Sequence, residues 1–532
     1  MEKKTLLAVV ISLAILLLWD VFFLKNKAPQ QPPKQPARQE SPVAAAPKTP
    51  AAVPLPAMPP AQAPAPAAAA AQTLAVDTPL YRATFSSTGG AITSFQLKKF
   101  HEELDPRSKT VDVVNTPMPV FGLGDKFSDA SVAYQATRSQ PDSTGVSREI
   151  AFTAQPMPGV VLRKIFTIDP KTYTLGYRMV VENHTAAPLQ ADMQQYVDGI
   201  YRSGAKLDGY SFQGPVLLAD KHLEEFKLKK VEDIGIYRDF SGSVQWFGFE
   251  DKYFLKTLIP TSPVNTTLTI RRTSESVVRM VYRSGTASIQ PGMSVQKDYL
   301  LFVGPKEFNI LKAANYNLNK ALDFGFFDII AKPMLVAMNW IFAYVKSYGL
   351  TIIILTILIK IILYPLTLKS FKSMKELQKI QPLMKEIQTK YKDDKQKLNQ
   401  ELMKLYSEHK INPMGGCLPM LLQIPILFAL YRVFYQAIEL RHTPFHMFGT
   451  WLPDLSAKDP YYITPILMGL SQFVMQKMSP APGDEMQQKV MLIMPVMFTV
   501  LFLNFPSGLV IYWLISNILS IAQQAYINRK HA

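Results

Sequence analysis

From Gly349 to Leu368 the chain reads GLTIIILTILIKIILYPLTL, an apolar run with a single charge, Lys360. About twenty residues rising 1.5 Å each match the roughly 30 Å hydrocarbon layer of a bilayer. The run therefore predicts a membrane-crossing helix before anything else in the chain is considered. Further apolar segments follow at about 418–438, 461–478, 490–505 and 508–527. Pro425, Pro465 and Pro495 interrupt three of them, which neighbouring helices in a bundle tolerate. At the other end, MEKKTLLAVVISLAILLLWDVFFLKNK is broken only by Asp20 and is followed by Lys25, Asn26 and Lys27 rather than by small residues. That pattern predicts an uncleaved anchor with its N-terminus in the cytoplasm, in preference to a cleaved signal peptide.

Mean hydropathy over the 532 residues is near zero, +0.05, because the apolar ends offset a polar middle. Residues 28–72 are almost entirely Pro, Ala, Gln and Lys, which bury no core and predict an extended tether. From about Leu74 to Val303 come short β-branched and aromatic runs that alternate in and out, among them AITSFQLKKF, VVLRKIFTI, YTLGYRMVVEN, SVVRMVYRS and KDYLLFVG. Gly, Pro, Asn and Asp separate them, which predicts an antiparallel β-sandwich. The one cysteine, Cys417, rules out an internal disulfide. The domain must stand on its core alone, and it is large enough to do so. EFNILKAANYNLNKAL (307–322) predicts a helix leading back to the membrane. In the next segment Phe327, Ile330, Met334, Met338, Ile341, Phe342 and Val345 fall at helical spacing around Lys332, Pro333 and Lys346. An amphipathic helix lying in the interface fits that pattern.

YPLT (364–367) predicts the end of the first long span. The segment that follows, 369–415, holds eleven lysines against six acidic residues. Phe371, Met374, Leu377, Ile380, Met384, Ile387 and Tyr391 form one helical stripe, Leu398, Leu402 and Leu405 a second, with Asp393-Asp394 at the turn. This is a helical hairpin, and its lysines place it in the cytoplasm. Both chain ends obey the same rule: N-terminus in, β domain out, hairpin in, C-terminus in. The net charge of +16 is accounted for by cytoplasmic loops and anionic lipid, without sequence-specific nucleic-acid binding.

No nucleotide-binding loop, catalytic triad motif or metal-ligand cluster occurs in the sequence. His442 and His446 are separated by Thr443-Pro444 and read as loop histidines; Cys417 reads as structural. No cofactor, metal or enzymatic activity is expected. The polar residues within the spans carry more information. Thr356, Lys360 and Tyr364 share one helix face, as do Tyr512, Ser516 and Ser520, with Gln423 in another span and Asn517 beside the second row. Polar groups in lipid turn toward the bundle interior. Two readings compete: glue between helices with Lys360 snorkelling, or a wet cavity around it. No Asp or Glu lies well inside the other C-terminal spans, and Glu439 sits at an outer end. An intramembrane cation with no acidic partner is best housed in a water-filled cavity, which would attract acidic, polar peptide.

The strings YPLT, KELQKIQPLMKEI, NPMGGCLPMLLQIPI (412–426), ELRHTPF (439–445), DLSAKDPYYITPILMG (454–469) and FPSGLVIYWLISN (505–517) resemble the YidC/Oxa/Alb family of membrane protein insertases, in its Gram-negative form. The resemblance implies a multi-domain membrane protein of the bacterial inner membrane. Its parts are an N-terminal transmembrane anchor (1–27), a Pro/Ala-rich linker (28–72) and a periplasmic antiparallel β-sandwich (73–322). An interfacial amphipathic helix (323–347) follows. The α-helical transmembrane core has five helices (348–368, 417–438, 461–478, 490–505 and 508–527), a cytoplasmic helical hairpin (369–413) and a short tail (528–532). It further implies an insertase and chaperone, acting alone or beside the Sec translocon. A hydrophilic groove of Lys360, Thr356, Tyr364, Gln423, Tyr512, Ser516 and Asn517 would take the polar segment of a nascent membrane protein. Lys372, Lys375, Lys379 and Lys385 on the hairpin would meet the substrate, its ribosome or the signal-recognition-particle pathway. The family usually has arginine where this chain has Lys360. Two other readings are a secondary transporter or channel, against which stands the lack of intramembrane acidic relays, and a membrane-anchored binding module.

Overall fold

The structure, a computed structural model, describes residues 53–54, 71–143, 145–200, 212–226, 235–262, 265–392, 394–409, 418–445, 451–478 and 485–530. The expected N-terminal anchor at 1–27, the linker apart from 53–54 and 71–72, Cys417 and His446 lie outside the described residues.

Alternating runs become antiparallel strands because every second side chain has a core to enter. In Val160–Ile168 every second residue (Val160, Leu162, Lys164, Phe166 and Ile168) is buried while those between are half-buried or exposed. That strand pairs with Thr174–Asn183, which pairs in turn with Met293–Pro305 and, beyond it, Phe254–Pro260. Gly235–Glu250, sixteen residues long, joins the two halves of a fifteen-stranded sheet. Its first half pairs with Asn265–Arg272, its second with Phe254–Pro260 and Gly214–Ala219. The sheet folds on this strand into a sandwich. Tyr177 donates across it to Gln195 Oε1 at 3.3 Å. A smaller four-stranded sheet starts at Thr73–Asp77. Phe166, Tyr177 and Tyr299 stack across three neighbouring strands, with ring centroids 5.1 and 5.6 Å apart. Such stacking adds about 0.5–1.5 kcal/mol per pair beyond area burial.

Nine helices among the described residues are labelled α1 Phe308–Ala313, α2 Asp328–Val345, α3 Tyr348–Lys379, α4 Gln381–Lys390, α5 Lys395–Glu408, α6 Leu418–Gln436, α7 Ile463–Met478, α8 Glu485–Phe502 and α9 Ser507–Lys530. The helix expected over 307–322 is cut short. Asn315, Tyr316 and Asn317 take left-handed φ angles of 63°, 50° and 57°, ending α1 after six residues.

YPLT does not end its helix either. Pro365 lies inside α3, which runs unbroken for 32 residues from Tyr348 to Lys379. Proline removes one backbone donor and crowds the preceding turn, yet the apolar stretch before it and the amphipathic stretch after it both favour the same helix. The break comes at Ile380, where Pro382 starts α4 in a position proline accepts. Ile380 and Leu405 are buried between the hairpin arms, with Leu377, Met384, Ile387 and Tyr406 around them. Asp394 caps α5 by accepting from the Lys397 amide at 3.0 Å.

By length and composition Gly325–Val345, Tyr348–Lys379 and Ser507–Ile527 can each cross a bilayer, and Leu492–Phe502 is a shorter apolar helix. Helix α9 packs on α3 and α7, α7 on α8, and α2 on α3 and α6. At the α7–α8 crossing a side chain on Gly469 would overlap Thr499 Oγ1, the close approach that small residues give helices in lipid.

Candidate functional site

Lys360 sits twelve residues along α3, about 18 Å from its start at 1.5 Å per residue. Its ammonium donates to Ser520 Oγ on α9 at 2.8 Å, and the residue is 9 % exposed. Among the described residues no carboxylate forms an ion pair with it. Beside it opens a cavity of about 260 Å³ lined by Ile357, Lys360, Ile361, Tyr364, Leu519 and Gln523. One wall is therefore about two turns of α3, Ile357 to Tyr364, the other the last turns of α9. The cavity offers an ammonium with unused N–H donors, a phenol and an amide, set among aliphatic side chains.

The other predicted groove residues lie elsewhere in the bundle. Thr356 is fully buried and donates to the Ile352 carbonyl on its own helix at 2.6 Å. Gln423 on α6 donates to Ser516 Oγ at 3.0 Å, and Asn517 donates to Ser471 Oγ on α7 at 3.0 Å. Tyr512 is buried and faces Gln423. These groups join α6, α7 and α9 to one another, and of the predicted set only Lys360 and Tyr364 line the cavity. Gln523, which the sequence reading passed over, lines it as well. It lies three residues beyond Ser520, on the same helix face, a signal already in the sequence. Its neighbour Gln524 instead donates to the Met478 carbonyl at 2.8 Å. On the hairpin, Lys372, Lys379 and Lys385 are exposed and Lys375 is half-buried. Groups of three or more metal-ligating side chains are absent among the described residues.

Two family models cover this architecture: the one described as 60Kd inner membrane protein matches residues 340–532, and YidC periplasmic domain matches residues 73–337. Among curated proteins, the membrane protein insertase YidC of Syntrophus aciditrophicus (strain SB) is 44% identical over all of both chains. That of Geotalea daltonii is 40% identical over 99% of each. A solved structure titled as an active YidC insertase with its first transmembrane domain resolved is 21% identical. It covers 85% of this chain and 91% of its own, with a TM-score of 0.36. On the full-length identity and the paired family models, the chain belongs to the YidC family of membrane protein insertases.

Proposed function

We propose that the cavity beside Lys360 is where this insertase receives the polar segment of a nascent membrane protein while the apolar segment partitions into lipid. One observation carries the reading: a buried ammonium, without a carboxylate among the described residues, faces a cavity with only Ser520 as its acceptor. A positive, partly hydrated pocket lowers the cost of bringing acidic or polar peptide into the membrane. The reaction needs no bond chemistry, only a site that exchanges lipid for polar contacts.

The proposed topology puts the β domain in the periplasm and the lysine-rich hairpin in the cytoplasm. Only two residues separate α2 from α3. If both crossed, the hairpin at the far end of α3 would return to the side of the β domain. Helix α2 is therefore read as lying in the interface. Lys332 and Asp328 pair at 2.8 Å on it, while Phe326, Ile329, Trp340 and Tyr344 are exposed to dip into acyl chains. Exposed Lys372, Lys379 and Lys385 support a hairpin that meets the ribosome or signal-recognition particle at hand-over. Work as a chaperone beside the Sec translocon belongs to the same proposal.

Photo-crosslinkers at 357, 361, 364 and 523 are expected to capture a stalled nascent chain, and those at 423, 516 and 517 to capture it weakly. The reverse pattern would move the groove to the interior of the bundle and overturn the assignment.

A further inference from the structure

Glu439 follows α6 in a short turn, Ile438–Leu440, where three other elements converge on its carboxyl. Asn339 of α2 donates from Nδ2 to Oε1 at 3.3 Å, and the Phe308 amide of α1 donates to the same oxygen at 3.4 Å. Tyr348 at the start of α3 faces it too. The second carboxyl oxygen, Oε2, is shut off from solvent and has no partner among the described residues; the same is true of Asn339 Oδ1. Two acceptors without a donor, on a side-chain pair that already shares one hydrogen bond, lack only a proton. A carboxylic acid and a primary amide satisfy one another in a closed ring. The amide N–H donates to the acid carbonyl, and the acid O–H donates to the amide carbonyl.

We propose that Glu439 is a positioning residue that works in its acid form, its O–H donating to Asn339 Oδ1, and that this pair seats α2 and the β domain's α1 on the outer end of α6. The charged groups around it favour the acid. Glu307, next to Phe308, acts on Glu439 through space and opposes a second negative charge there. Lys99 acts on Glu307. Arg441 is committed to the His101 and Glu102 carbonyls, at 2.7 and 3.3 Å. On the same turn Thr443 donates to the Glu439 backbone carbonyl at 3.1 Å and leaves its carboxyl untouched. Burial pushes the Glu439 carboxyl up to about 7 from 4.5, and Glu307 adds to the rise. Since the folded state holds the acid, the contribution is whole below the ordinary carboxyl value. It is lost as pH rises through about 7.

The junction's chemistry is independent of what the Lys360 cavity binds, so its test does not use insertion. With full-length protein in nanodiscs, the infrared difference between wild type and Glu439→Gln is recorded from pH 6 to 9. A protonated-carboxyl band is expected at pH 6, falling about tenfold by pH 8. Over the same range, hydrogen-exchange protection of residues 308–313, corrected for intrinsic rates, should fall about tenfold in wild type. It should stay level in Glu439→Gln, whose amide keeps both bonds at every pH, and be low throughout in Glu439→Leu. Absence of the band at pH 6, or a Glu439→Gln profile that titrates like wild type, overturns the proposal.

Discussion

Lys164 in the β domain and Lys360 in the helical core are both buried lysines, and they are held in opposite ways. Lys164 is fully buried and its ammonium is spent. It pairs with Asp129 at 2.5 Å and donates to the Gly89 and Pro119 carbonyls at 2.7 and 3.1 Å. Asp129 is spent as well, accepting from the Phe121 amide and the Tyr134 hydroxyl, each at 2.8 Å. Burial pulls the Lys164 ammonium down and Asp129 pushes it back up. Among the described residues Lys360 has a single hydroxyl partner, and a cavity lies at its side. A lysine with every donor bound fixes the strands around it. One with donors left over is what the proposed receiving site requires.

The comparison breaks first, and hardest, at Asp129. Asp129→Ala leaves an ammonium in a closed core, and removing one partner of a buried pair costs about 3–5 kcal/mol. Thermal melting of the full chain should show the β domain unfolding well below the wild-type temperature. Replacing both members by apolar residues, Asp129→Leu with Lys164→Met, removes the stranded charge and should recover part of that loss, the remainder reflecting the Phe121 amide, Tyr134 hydroxyl and Gly89 and Pro119 carbonyls left without these partners. A single variant that melts within a degree or so of wild type would mean that Lys164 is no more committed than Lys360.

The same operation on the membrane lysine predicts a different phenotype. Lys360→Ala removes a charge from a cavity wall, so folding should hold while insertion of clients with acidic outer segments falls about tenfold. That corresponds to about 1.4 kcal/mol of lost attraction. Lys360→Arg, which keeps the charge, should insert them normally. Reconstituted insertion assays with acidic and neutral clients separate the cases. Equal losses for both classes would remove electrostatics from the explanation.

Most of the sandwich could be read from alternation, but Leu189–Ile200 could not. It runs between Val120–Leu123 and Val277–Ile289, and its buried positions include Gln194, Gln195 and Asp198. Asp198 is held by Arg279 through two bonds of 2.7 Å. Polarity hides such a strand, because its partners come from distant sequence. Helix ends misled for a related reason. Pro365 looked like a terminus, yet tertiary packing and the amphipathic stripe after it carry α3 onward. At the site, Lys360 and Ser520 belong to two separate i, i+4 rows, and only the fold shows that they meet, at 2.8 Å. Spacing along one helix cannot say whether a polar group faces a partner or a void. Gln423 and Asn517 met partners on other helices, whereas Gln523, whose Oε1 has no partner among the described residues, lines the cavity.

The smallest effect is expected at Ser520, and it sharpens the contrast most. If Lys360 resembled Lys164, its one hydrogen bond would hold it in place, and losing the acceptor would cost about 1.5–3 kcal/mol. A cavity-side ammonium has water as a substitute acceptor, so Ser520→Ala should change melting temperature by no more than a few degrees. Acidic-client insertion should stay within about twofold of wild type, since the charge itself is untouched. A loss matching that of Lys360→Ala would show that the ammonium acts only when Ser520 aims it.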